Sequence, residues 1–167
     1  LHNGKKYKCV VFDYYGTLYN PLKDTFGAKD DLFYDHMPEL IKFVSSRASC
    51  AIATRSPLLI IKEQLSEAGL REFFSCVKST EFGHDKPDPT ILEHIMLELD
   101  VMASDCVMIG DSISDLAFAK NAGVDCIFVN FSDYKIDESF DAEVKSYTQA
   151  PIFNDVKLLQ DYLDRRL

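Results

Sequence analysis

No apolar run approaches the roughly 18 residues that a membrane-spanning helix needs. No cluster of lysine and arginine marks a nucleic-acid surface, and the formal net charge is −9. The chain is therefore read as binding neither membrane nor nucleic acid. Its five cysteines form no CxxC pair and no zinc-ligand spacing. The basic opening LHNGKKYK leads into an apolar run too short for a signal peptide and ending at Asp13. A cytoplasmic location is expected. Leu1 is not a natural start, so an artificial edge or a cut from a longer chain is expected.

The sequence has 167 residues, 47% hydrophobic and 27% charged, which suits one globular domain with a real core. Domain limits of 1–167 are expected, with the motif-bearing part at about 7–130. The acidity serves solubility, and part of it is read as a carboxylate cluster that needs a cation.

Cysteine placement carries information. Cys9, Cys50, Cys76, Cys106 and Cys126 each stand before a short apolar run: CVVF, CAIA, CV, CVMI and CIFV. Runs with so little polar alternation read as strands of a parallel sheet covered on both faces. The thiols then lie near one sheet edge as small buried hydrophobes, which suits a reducing compartment. Helical periodicity falls between the runs. Pro38–Arg47 carries Leu40, Ile41 and Val44 on one face. Ser56 reads as an N-cap before Pro57, with Leu58, Ile61, Leu65 and Ala68 inward and Gly69 as stop. Pro89–Leu99 and Ser112–Ala122 repeat the pattern, and Gly123 ends the latter. A last helix is expected from about Asp155. The polar stretch Ser132–Ala150 reads as loop. Alternating β and α predicts a doubly wound α/β fold with its site at the carboxyl ends of the strands.

Those ends carry Asp13-Tyr14-Tyr15-Gly16-Thr17-Leu18, then Thr54-Arg55-Ser56, then His84-Asp85-Lys86-Pro87-Asp88, then Gly110-Asp111-Ser112 with Asp115 beyond. Three carboxylates, a lysine and a threonine thus converge on one rim. A carboxylate placed in line with phosphorus becomes an effective nucleophile by proximity. A divalent cation held by Asp13 and Asp111 would keep the phosphoryl charge from being repelled. Lys86 adds positive charge where the transition state spreads negative charge. Thr54, Arg55 and the turn at Gly16 and Thr17 are candidate phosphate holders, with amides around Tyr15 and Gly16 contributing.

DYYGTL, the Thr of ATRS, KPDP and GDSISD resemble the four motifs of the haloacid dehalogenase superfamily, over about Val10 to Val129. The resemblance implies a Rossmann-like five-stranded parallel sheet of order 3-2-1-4-5 and a hydrolase. It implies Asp13 as nucleophile, Thr54 as phosphate binder and Lys86 as charge stabiliser. It implies Mg²⁺ held by Asp13, Asp111 and the Tyr15 carbonyl, with Asp115 as a further or supporting carboxylate. Length and ATRS look like the magnesium-dependent acid phosphatase branch; KPDP and GDSISD look like the phosphoglycolate-phosphatase-like branch.

One position departs from the phosphatase pattern. Where those enzymes carry a second aspartate as acid and base, this chain has Tyr15. A tyrosine, with an ordinary pKa of about 10, could donate a proton but is a poor base. Three readings stay open: a phosphatase acting on a phosphorylated small molecule or macromolecule, a 2-haloacid-dehalogenase-like hydrolase, and a weakly active phosphate-binding relative. His84 could replace the missing base or be an ordinary loop histidine. Arg55 could reach a substrate anion or pair with a surface carboxylate. Tyr14, Tyr19 and Phe26 are expected to cover the core edge near the mouth. Family caps enter after the first motif or before the third, and here Tyr19–Tyr34 and Ser79–Asp85 are too short for one. No cap domain is expected, and a neighbouring chain could serve as lid.

Overall fold

Cys9, Val10, Val11 and Phe12 are all shut off from solvent, and this four-residue strand, β1 (Cys9–Phe12), is the centre of the sheet. The computed structural model describes residues 4–26, 31–132 and 135–167. Leu1, part of the 19–34 segment and two positions of the 132–150 segment lie outside the described residues. Along the chain β1 is followed by α1 (Pro21–Thr25), α2 (Met37–Ser45), β2 (Ser49–Thr54), α3 (Leu58–Glu67), β3 (Cys76–Ser79) and α4 (Thr90–Glu98). Then come β4 (Cys106–Gly110), α5 (Ile113–Asn121), β5 (Asp125–Phe128), α6 (Glu138–Lys145) and α7 (Val156–Asp164). All strand pairs are parallel, in the order β3-β2-β1-β4-β5. The expected order holds.

Strand alternation sorts the core into two layers. Val10 and Phe12 point to one face with Leu40 and Ile41 of α2, Ile61 and Leu65 of α3, and Leu159 and Leu163 of α7. Cys9 and Val11 point to the other, with Leu92 and Ile95 of α4, Leu116 of α5 and Val144 of α6. Fully burying one such aliphatic or aromatic side chain is worth about 1.5–3 kcal/mol. All five cysteines are free and buried at the amino-terminal ends of the strands, Cys9 beside Cys106 and Cys50 beside Val10. They act as packing, at the opposite end of β1 from Asp13.

Four expectations need correction. Ser132–Ala150 is not all loop, because α6 lies within it. Asp137 caps that helix by accepting from Phe140 N–H, and the Phe140 ring meets Phe128 across the core. Two inward residues in an acidic helix are too few to stand out as periodicity. Ser56 does not cap α3. Its amide donates to Thr54 Oγ1 and its carbonyl accepts from Ser79 Oγ. The α3 amide at Leu58 is instead satisfied by the Glu81 carboxylate. Ala68, expected on the inward face of that helix, is the exposed C-cap. Finally, Phe26 covers nothing, being 84% exposed, whereas Tyr14 and Tyr19 are core residues stacked on one another. The stops at Gly69 and Gly123 are as expected.

Candidate active site

Each candidate residue stands where a parallel strand releases the chain. Asp13 follows β1, its amide donating to the Ile109 carbonyl of β4. Thr54 ends β2, Lys86 lies in the loop after β3, and Asp111 follows β4. Asp115 sits in the first turn of α5, fixed by a reciprocal cap. Ser112 Oγ accepts from Asp115 N–H, and Asp115 Oδ2 accepts from the Ser112 amide and hydroxyl.

Lys86 joins the groups. It is 4% exposed, and its ammonium donates to Asp13 Oδ1 at 2.9 Å, Asp115 Oδ1 at 2.8 Å and the Ala53 carbonyl at 2.8 Å. All three donor hydrogens are therefore used. Burial pulls its pKa down, but the Asp13 and Asp115 carboxylates outweigh this and the net shift is upward. Burial pushes the Asp13 carboxyl up, to about 8; Lys86 opposes the rise, and Asp115 and Asp111 add to it. Burial, then Asp115, raises Asp111 as well.

Carboxylate oxygens of Asp13, Asp111 and Asp115 lie within 4.8 Å of one another. Once all are ionised, the three carboxylates against one ammonium leave two negative charges, with Asp115 buried and Asp13 and Asp111 half-buried. That balance, and a donor set made of oxygen alone, suits a divalent metal ion. Asp115 already has a donor on each oxygen, so Asp13 and Asp111 are the freer ligands. The turn is shaped for this approach. Gly16 has φ +82, and Asp111 Oδ2 occupies the space that a Cβ there would fill.

The remaining candidates separate. Thr54 is buried at the rim with its Oγ1 accepting from Ser56 N–H, leaving the hydroxyl proton to donate. Thr17 is buried and aims its hydroxyl at Asp111 Oδ1, 3.4 Å away, so it faces a carboxylate. The Gly16 amide is donated to the Tyr19 carbonyl, so amides holding a phosphate must come from elsewhere on the turn. Arg55 turns onto Asp85 and the Lys86 carbonyl. His84 faces Asp88 at 3.2 Å and is exposed. Tyr15 packs edge-on against Tyr14 and Tyr19, and its hydroxyl donates to Gln64 Oε1 of α3 at 3.2 Å. Gln64 is the residue that sequence reasoning missed. Its partner lies 49 positions away, and only the folding of α3 beside the turn after β1 brings the two together.

The haloacid dehalogenase-like hydrolase family model matches residues 17–129. The chain belongs to this family. The match begins just beyond Asp13, so the aspartate's place rests on the geometry above. Relatives include phosphoglycolate phosphatases from Psychrobacter arcticus, 27% identical over 92% of this chain and 62% of that protein, and from Colwellia psychrerythraea, 31% identical over 61% and 46%. The chain thus spans about half the length of these curated relatives. Among solved structures, a HAD phosphatase from Thermococcus onnurineus superposes with a TM-score of 0.75 at 17% identity, over 95% of this chain and 99% of that one, which establishes the fold.

Proposed function

We propose that this haloacid dehalogenase-like chain is a Mg²⁺-dependent phosphatase that carries the phosphoryl group on Asp13. The observation that carries the reading is the convergence of Asp13, Asp111 and Asp115, with Lys86 on Asp13 and Asp115, a cluster that ionises to two negative charges in excess. An Asp13 oxygen attacks phosphorus, the bond to the leaving oxygen breaks, and an aspartyl-phosphate forms. Water then attacks that phosphorus and Asp13 is released as the carboxylate. Asp13, Asp111 and the Tyr15 carbonyl would hold the Mg²⁺, whose charge would offset repulsion between nucleophile and phosphate. Lys86 is fixed by Asp115 so that its charge meets the equatorial oxygens as negative charge spreads over them. Thr54 donates its hydroxyl to one of these oxygens.

Tyr15 sets the limits of the chemistry. Its hydroxyl is directed to Gln64, which supports a role as a wall of the site rather than as acid and base. Substrates whose leaving group needs no proton are favoured. The phosphoglycolate phosphatases among the relatives support a phosphorylated substrate, small or carried on a macromolecule, and a neighbouring chain could close the rim. The dehalogenase reading is disfavoured, because halide departure gives the acidic cluster nothing to do.

The test is phosphate release across a mixed phosphoester panel, with and without Mg²⁺, alongside Asp13→Asn. Release that needs both Mg²⁺ and Asp13 is expected. Chloride release from a 2-haloacid with no phosphate release from any ester would overturn the reading.

A further inference from the structure

Arg55 directly follows the phosphate-facing Thr54, and a free guanidinium there would be the natural contact for a second substrate anion. It is not free. Its Nε donates to Asp85 Oδ1 at 2.7 Å, and one terminal nitrogen donates to the Lys86 carbonyl at 2.8 Å. The same Asp85 oxygen accepts from the Lys86 amide at 2.9 Å and from the Thr80 hydroxyl at 3.2 Å. Thr80 is itself buried and donates its amide to the Thr54 carbonyl at 2.9 Å. Both backbone polar groups of Lys86 are therefore tied, through Arg55 and Asp85, to the end of β2. From the far side Asn121 of α5 donates to the carbonyl of the next residue, Pro87, at 3.0 Å.

We infer that Arg55 and Asp85 are positioning residues that lock the Lys86 backbone to the Thr54 strand end, so that the Lys86 ammonium is delivered to Asp13 at a fixed point. The inference rests on the phosphatase reading for its kinetic consequence, though not for its geometry. A flexible four-carbon side chain can place a charge accurately only if its own Cα is held. The planar fork of Arg55 suits the task, since one group reaches a carboxylate and a carbonyl at once. The pair is half-exposed to solvent, so its value lies in geometry more than in stability, as is usual for surface ion pairs.

The two possible roles of Arg55 differ in kinetics. A group that binds substrate directly raises KM when removed. A group that positions Lys86 lowers kcat, and a displacement of about 1 Å in a catalytic group costs on the order of 10²-fold. Arg55→Met is expected to lower kcat for phosphate release by about 10–100-fold with KM changed less than about threefold. Asp85→Ala should do the same. The double variant should be no worse than either single one, because both break one lock. Arg55→Lys should recover little, having no fork.

A second readout does not depend on turnover. Lys86 is buried and all its donors are used, so its acetylation by an amine-reactive reagent, followed by mass spectrometry, should be slow in the intact protein. In Arg55→Met and Asp85→Ala it should quicken by about tenfold while circular dichroism stays unchanged. A raised KM with unchanged kcat would overturn the inference in favour of direct substrate binding. Unchanged Lys86 labelling in both variants would overturn it outright. A wild type that releases no phosphate from any ester would remove the functional reading, while the labelling experiment would still decide the positioning role.

Discussion

Asp111 Oδ2 occupies the position that a Cβ on Gly16 would take, and Gly16 holds φ +82 to leave it there. Two costs therefore meet in Gly16→Ala. The backbone penalty is about 1–2 kcal/mol, that of a non-glycine residue in the left-handed region. The second cost falls on the site, because Asp111 must move. Phosphate release is expected to fall by about 10²-fold or more, while the melting temperature drops by only several degrees. A variant with near-normal rates would mean that the Asp111 position does not matter to the chemistry.

Lys86→Met should harm the fold as well as the reaction. The variant leaves Asp115 buried, with half-buried Asp13 beside it and no ammonium between them. Removing one partner of a buried ion pair costs about 3–5 kcal/mol, to be read by urea unfolding without metal. Added Mg²⁺ should recover part of that loss by replacing the missing charge, without restoring turnover. A stability change under about 1 kcal/mol would contradict the buried pairing.

Metal binding should displace a proton. Burial raises the Asp13 carboxyl to about 8, Lys86 opposing and Asp115 and Asp111 adding. An unfolded aspartate titrates near about 3.9. Between these values the folded chain holds a proton that the unfolded chain has lost, so this group's contribution to metal-free stability is full below about pH 4 and declines as pH rises towards 8. A cation needs the ionised form. Calorimetry at pH 6.5 in buffers of different ionisation heat is expected to show about one proton released per Mg²⁺. Affinity should rise with pH and level off above about 8. Absence of proton release would place the cation away from Asp13.

The sheet, and the placing of most candidate residues at its strand ends, could be read in advance, because both rest on local pattern. Five apolar runs gave the strands, and the residues that end them gave Asp13, Thr54, Lys86 and Asp111 as one rim. Partner choice was not legible. Arg55 could equally have met a substrate or a carboxylate, and only the loop carrying Asp85 and Lys86, some thirty residues on, decides it. The same holds for Ser56, whose carbonyl accepts from Ser79 at the end of the adjacent strand while Pro57 takes the N-cap position of α3, and for Gln64 under the Tyr15 hydroxyl. The helix Glu138–Lys145 was missed because its fully buried residue is Val144 alone. Contacts between elements far apart in sequence leave no periodic trace.

The Tyr15–Gln64 contact leads to the most discriminating prediction. Attack by Asp13 needs no acid when the leaving group is already a weak base, as in an aryl or acyl phosphate. Expulsion of an alkoxide does need one, and hydrolysis of the aspartyl-phosphate needs a base. A tyrosine whose hydroxyl donates its hydrogen bond to Gln64 supplies neither well. The rate should fall steeply as the leaving-group pKa rises, and a phospho-enzyme should accumulate on reactive substrates. Tyr15→Phe should change rates on an aryl and an alkyl phosphate by no more than about twofold, since it removes a hydroxyl that does no proton transfer. Tyr15→Asp should raise alkyl phosphate turnover by about 10²-fold or more, the usual worth of a placed acid and base, with a smaller gain on the aryl ester. Loss of activity in Tyr15→Phe would make the tyrosine hydroxyl the proton donor after all. Equal rates for wild type and Tyr15→Asp on both esters would mean that another group already moves the proton. His84 would be the first to test, because it lies in the same loop as Lys86 and needs only to leave Asp88.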